Sequence, residues 1–138
     1  MIIYVDSSAI VKPFLNERGS DEIALFFNEA LDNGDSLCTA IIAETEVRRT
    51  AKKTDIPLEF ADKVLAEFTI IPLSHANYRW AGAIGANGAK DYLRSLDAIH
   101  IIAAQVCKAD KVITFDERQA SSFKSEGFEL LAIGGSYA

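Results

Sequence analysis

The chain has 138 residues, of which 49% are hydrophobic and 25% charged. That is enough for one domain that buries a core without disulfide staples, and too apolar for intrinsic disorder. Twenty acids against 14 Lys and Arg give a formal charge of −6, which argues against a broad basic face for gripping nucleic acid. A site in which divalent cations supply the positive charge remains open.

Ile2 to Val5 is an apolar, β-branched and aromatic run that reads as a buried strand ending at Asp6. Ser7 and Ser8 offer an N-cap for a short helix over Ala9 to Phe14, which Pro13 limits. Ser20 caps a second helix, where Ile23, Ala24, Phe26, Phe27, Ala30 and Leu31 recur at helical spacing before the Asp32-Asn33-Gly34-Asp35 turn. Ser36 to Thr39 is a strand, and Ala40 to about Lys53 a helix closed by basic residues. Leu58 to Glu67 is a helix, Phe68 to Leu73 a strand, and Ser74 caps a helix to about Ala86 ahead of the Asn87-Gly88 loop. Asp91 to Cys107 is an apolar, Ala-rich helix. Lys111 to Phe115 is a strand ending at Asp116, Glu117 to Glu126 a helix stopped by Gly127, and Phe128 to Ile133 a last strand. The Gly134-Gly135-Ser136 tail is expected to fray.

Short apolar strands alternating with helices imply one α/β domain over 1–138, with a mostly parallel twisted sheet of four to five strands covered by helices on both faces. No apolar run approaches the roughly 18 residues of a membrane span, and Asp6 interrupts the start too early for a secretory leader. The expectation is a cytoplasmic protein without membrane association. Cys38 and Cys107, the two cysteines, lie in apolar stretches and read as buried thiols.

Ligands of an open parallel sheet gather at the carboxyl ends of its strands, where Asp6 and Asp116 stand. Asp97 and Glu46 interrupt the apolar faces of two helices. Carboxylates in such surroundings are usually paired, protonated or metal-bound. Two of them about 4 Å apart repel by roughly 4 kcal/mol at an effective dielectric of 20. Taken singly, each has a structural role open to it: Asp6 and Asp116 as helix caps, Asp97 paired with Arg94, Glu46 with Arg49. Taken together, a shared site for one or two Mg²⁺ or Mn²⁺ ions accounts for all four, and no His/Cys pattern suits zinc.

The opening YVDSSAIVKPFLNE, then EVRR, LRSLDAIHIIAA and VITFDERQA, resemble PIN-domain proteins, specifically VapC-type toxins of prokaryotic toxin–antitoxin pairs. The likeness spans essentially the whole chain, in order. It implies a metal-dependent endoribonuclease that hydrolyses structured RNA, such as tRNA or ribosomal RNA, by in-line attack of a metal-activated water. The family's acidic quartet falls on Asp6, Glu46, Asp97 and Asp116. Glu44 and Glu46 point about 200° apart on a helix, so one of them faces the site, and the family pattern selects Glu46. Ser8 and Thr114 match hydroxyl residues beside the first and last acids and would hydrogen-bond a carboxylate or a metal-bound water; a helix cap and strand preference explain them equally. The likeness also implies a VapB-like antitoxin that inserts a peptide near the acidic groove, and a homodimer.

Arg48, Arg49, Arg94 and Lys12 are candidate RNA phosphate contacts, or simple charge balance beside the acids. His100, three residues after Asp97, reads as a packing or hydrogen-bonding residue, and His75 carries no catalytic signal. Phe60 and Val64 read as core. Two other functions compete: a non-catalytic PIN-like module that binds RNA or protein, and an acidic-pocket phosphotransfer domain. A phosphatase of that last kind wants an Asp where Ser8 stands, and a receiver wants a late-strand Lys where Phe115-Asp116 stands.

Overall fold

The computed structural model describes residues 1–88 and 92–138. Four strands, β1 (Ile2–Val5), β2 (Ser36–Ala40), β3 (Thr69–Ile71) and β4 (Lys111–Ile113), form one sheet in the order β3-β2-β1-β4. Every pairing is parallel: Ile3 lies opposite Leu37 and Lys111, and Thr39 opposite Ile70. The helices are α1 (Ser7–Ile10), α2 (Lys12–Leu15), α3 (Ser20–Asp32), α4 (Ile42–Lys53), α5 (Leu58–Leu65), α6 (His75–Ala81), α7 (Ser95–Val106) and α8 (Glu117–Ser125). None is long and apolar enough to cross a membrane.

Strand alternation divides the core into two layers. Ile3, Val5, Leu37 and Ile113 pack on one face with Ile10, Ile23, Phe27, Val47 and Ala61, from α1, α3, α4 and α5. Tyr4, Cys38 and Val112 pack on the other with Ile101 and Ala104 of α7 and Phe123 of α8. Burial on both faces explains why the strands read as continuous apolar runs. β1 is followed across the sheet by β2 on one side and β4 on the other, so the chain changes direction between β1 and β4. A crevice opens at the carboxyl ends of strands that part in this way. Asp6 and Asp116 flank it.

Several expectations are corrected. The first helix is split at Val11, because Pro13 in the first turn of α2 has no N–H to continue α1. Its N-cap is Asp6, and that of α3 is Gly19, whereas Ser20 Oγ accepts from Glu17 N. Ala40 belongs to β2, pairing with Ile71, so α4 begins two residues later than expected. α6 stops at Gly82, whose N–H closes on Tyr78 and Arg79 carbonyls. Asp91, the expected start of the Ala-rich helix, lies outside the described residues; α7 starts at Ser95. Phe60 is 48% exposed and not core.

The expected last strand shrinks to one bridge, Val112 with Leu130. Ser136 Oγ accepts from Ile133 N and donates to Leu131 O, taking up groups that would extend a ladder. The tail is also tied down. Gly134 packs on Gly19, the Tyr137 N–H donates to Thr114 O, and Ser136 is buried. Two glycines at positive φ (Gly19 at 91°, Gly134 at 61°) permit this approach; a Cβ on Gly19 would stand 2.1 Å from Gly134 O.

Candidate functional site at the carboxyl edge of the sheet

Asp6 leaves β1 in extended conformation, and its N–H still reaches Ile113 O across to β4. Its carboxylate is braced from both strands. Oδ1 accepts from Ser8 N (3.1 Å) and Ser8 Oγ (2.5 Å), and Oδ2 from Thr114 Oγ1 (2.5 Å). The same hydroxyls accept in turn: Ser8 Oγ from Phe115 N and Thr114 Oγ1 from Asp116 N. Ser8 and Thr114 therefore clasp the exits of β1 and β4 around one carboxylate. Burial raises the Asp6 carboxyl above its ordinary range, although the His100 charge and the two hydroxyls oppose it.

Glu46 faces inward from α4 while Glu44 is exposed, as the 200° separation requires. Glu46 Oε1 accepts from Ser7 Oγ (2.6 Å) and from His100 Nε2 (2.7 Å). His100 Nδ1 meets the Tyr4 hydroxyl at 2.5 Å, and that hydroxyl accepts from Ala40 N. A relay of Ser7, Glu46, His100 and Tyr4 thus runs from α1 through the buried layer to β2. Burial by itself would raise Glu46, but the hydrogen bond and charge of His100 and the Ser7 hydroxyl pull it below its ordinary value. Burial by itself would lower His100, but the Glu46 hydrogen bond and charge, then the charges of Asp6 and Asp97, raise it.

Asp97 sits in the first turn of α7, and Asp116 caps α8 by accepting from Gln119 N (3.0 Å). The Gln119 side chain donates to Asp97 O, holding the two helix starts together. Asp97 Oδ2 is buried and has no hydrogen-bond partner among the described residues. Arg118 Nε stands 3.9 Å from it, and Arg118 Nη2 also donates to Tyr92 O. Burial and then the Asp116 charge raise the Asp97 carboxyl, against the pull of Arg118, His100 and Arg94.

The expected helical pairs do not form, since Asp97 turns to Arg118 rather than Arg94, and Glu46 to His100 rather than Arg49. Asp6, Glu46 and Asp97 act on His100, and Asp116 lies beside Asp97, but among the described residues no three His, Cys, Asp or Glu side chains stand ready as a metal cage. Ser8, Thr114 and His100 already occupy much of the acceptor capacity of Asp6 and Glu46. Asp97 and Asp116 keep free oxygens.

Of the basic candidates, Lys12 pairs with Glu17 and lies over the Phe115 ring, beside Asp116. Arg48 is drawn away to Asp62 at 3.7 Å, and Arg49 and Arg94 are exposed. Reading the sequence missed Ser7, Tyr4 and Arg118. Arg118 had a signal, a base two residues after a strand-end acid in TFDER. It also lines an open pocket of about 740 Å³ with Tyr92, Leu93, Ser121 and Ser122.

Residues 3–122 match the family model described as PIN domain. A curated relative from Mycobacterium tuberculosis named ribonuclease VapC47 is 30% identical over 137 residues, covering 96% of this chain and 98% of the relative. Several solved structures share the fold. VapC20 of M. tuberculosis, a sarcin-ricin loop cleaving toxin, superposes with a TM-score of 0.71 at 11% identity, over 91% of this chain and 95% of that one. VapBC2 of Rickettsia felis, bound to a DNA fragment from its promoter, gives 0.66 at 14% identity, over 95% and 98%. The chain belongs to the PIN-domain family, on its VapC branch.

Proposed function

We propose that this protein is an endoribonuclease toxin of the VapC kind that uses Mg²⁺ or Mn²⁺ to hydrolyse phosphodiester bonds of structured RNA. The observation that carries this reading is Asp97 Oδ2, a buried carboxylate oxygen without a hydrogen-bond partner among the described residues, beside Asp116, whose Oδ1 caps α8 at the β1–β4 crevice. A buried carboxylate oxygen left without a hydrogen bond is costly, and a hard cation satisfies it. Asp6, Asp97 and Asp116 are the residues that would hold the metal, with Glu46 ligating a second ion or orienting water. A bound divalent ion supplies charge neutralisation at the phosphate and lowers the pKa of a coordinated water.

The remaining work belongs to the chain's own side chains. Ser8 and Thr114 hold Asp6 in one orientation, and Ser7 and His100 do the same for Glu46. Arg118, half-exposed and 3.9 Å from Asp97, would pair with a phosphate of the incoming strand. Each cleavage consumes one water: its oxygen joins phosphorus, the bond to the 3′ oxygen breaks, and that oxygen takes a proton. The acidic surface is compatible with this reading because contact with RNA is confined to one groove.

The VapBC2 complex supports a VapB-like antitoxin as partner, and the apolar groove of Pro13, Phe14, Ile56, Phe60 and Val64 offers such a chain a surface. The homodimer is proposed on the family likeness alone. PIN-domain membership leaves the phosphotransfer readings without support. One observation favours a non-catalytic binding module, namely that no three ligands stand ready as a metal cage among the described residues.

Partner-free protein incubated with total cellular RNA separates the two. Cleavage with Mn²⁺, none with chelator, and none by Asp97→Asn is the expected result, with end-mapping to locate the sites. Intact RNA alongside no Mn²⁺ uptake in calorimetry would establish the binding module instead.

A further inference from the structure

The sheet brings together the two cysteines, which the nuclease reading does not use. Cys38 is in the middle of β2, buried in the layer beneath α7, and Cys107 is the C-cap of α7. Their sulfurs lie 2.9 Å apart although the residues are separated by 69 positions. A disulfide is ~2.05 Å long, so closure needs a shift of only about 0.9 Å. The expectation that both thiols are buried holds for Cys38 alone. Cys107 is partly exposed, between Val106 (43% exposed) and exposed Lys108.

We propose that Cys38 and Cys107 form a peroxide-responsive dithiol, whose disulfide clamps α7 onto β2. The two sulfurs have the unequal environments that such a pair needs. Cys107 is the accessible one, and the hydrogen bond from Cys38 holds its thiol below the ordinary value. Cys38 is shielded, and the same hydrogen bond together with burial keeps it protonated.

The Cys107 thiolate attacks a hydroperoxide, forming an S–O bond as the O–O bond breaks, and the displaced oxygen leaves as water or alcohol. Cys38 sulfur then attacks Cys107 sulfur. The S–S bond forms, the S–O bond breaks, and hydroxide departs with the Cys38 proton as water. Two thiols are oxidised by two electrons and the peroxide is reduced. Because α7 also carries Asp97 and His100, the crosslink would secure the helix that bears part of the acidic site to the strand beside β1. Closing a loop of this length restricts the unfolded chain and so protects the folded one.

The test needs neither RNA nor metal, so its outcome is independent of the nuclease reading. Purified protein is treated with hydrogen peroxide and followed by intact mass, thiol titration, non-reducing electrophoresis and thermal melting. The expected product is a monomer lighter by two hydrogens, with no titratable thiol and a melting temperature raised by several degrees, all reversed by dithiothreitol. Cys38→Ser should instead accumulate a sulfenic acid on Cys107 that dimedone traps, with no rise in melting temperature. Cys107→Ser, at the more exposed position, should keep Cys38 reduced. Persistence of both thiols in excess peroxide would overturn the proposal, as would a crosslink found only between molecules or a monomeric disulfide that leaves the melting temperature unchanged.

Discussion

Substituting Asp97 by Asn should make the protein more stable and less active at once. Asp97 Oδ2 is buried without a hydrogen-bond partner, and Arg118, at 3.9 Å, is too distant for a good hydrogen bond. An unsatisfied buried polar atom costs about 1–3 kcal/mol, and more when charged. Asn keeps the shape and removes the charge, so metal-free Asp97→Asn should gain about 1 kcal/mol at neutral pH, or about 3 °C in melting temperature for a chain of this size. The pH dependence follows from linkage. Burial and Asp116 raise the Asp97 carboxyl above its ordinary value, so the folded chain binds that proton more tightly than the unfolded one. Wild-type stability therefore falls as pH rises from the ordinary Asp value through the raised one, and the advantage of Asp97→Asn should disappear in acid. On the proposed function, metal should reverse the ranking. Mn²⁺ at ten times its dissociation constant should stabilise the wild type by about 1.4 kcal/mol and leave Asp97→Asn unmoved. RNA cleavage should drop by at least about 100-fold. Urea denaturation in chelator and in Mn²⁺, across pH, reads the stability part of this, and the RNA assay reads the rest. A metal-free Asp97→Asn that is less stable than the wild type, together with a wild type indifferent to Mn²⁺, would refute the reasoning.

The Glu46–His100 pair carries its own pH signature. His100 is raised, so its contribution is complete below the ordinary value of 6.5 and is lost as pH climbs through the raised one. Glu46 is lowered, so its contribution is complete above 4.5 and is lost as pH falls through the lowered value. Glu46→Gln should cost about 2 kcal/mol between those limits in chelator, and progressively less as pH rises through the raised His100 value, as measured by urea denaturation; a constant difference across pH would mean that the pair is not ionic. Arg118→Ala, half-exposed, should change stability by less than about 0.5 kcal/mol while raising the KM for RNA roughly tenfold in steady-state assays. An unchanged KM would remove Arg118 from the groove. Gly19→Ala forces a Cβ against Gly134 O at positive φ and should cost roughly 2 kcal/mol by thermal denaturation; an unaltered melt would show that the tail does not seat there.

Much of the fold was legible because a parallel sheet buried on both faces writes itself into local composition. Asp6 directly follows the strand Ile2–Val5, whereas the expected strand Lys111 to Phe115 stops at Ile113, which leaves Asp116 three residues beyond its end. Helical periodicity showed that only one of Glu44 and Glu46 could face the site, and the family pattern selected Glu46. Phe128 to Ile133 misled because its pattern suits a strand, while its ladder depended on Ser136 and on the short edge that β4 offers.

By itself the sequence determined which residue types stand at strand ends and which side chains share a helix face, since those follow from backbone periods of two and 3.6. Only the tertiary structure decided who faces whom. Glu46 met His100 from 54 positions away, Thr114 closed on Asp6 from 108 positions away, and Cys38 found Cys107. Such partnerships come from strand order and from which helix covers which face, and those are set by the burial of the whole core rather than by any local run of residues.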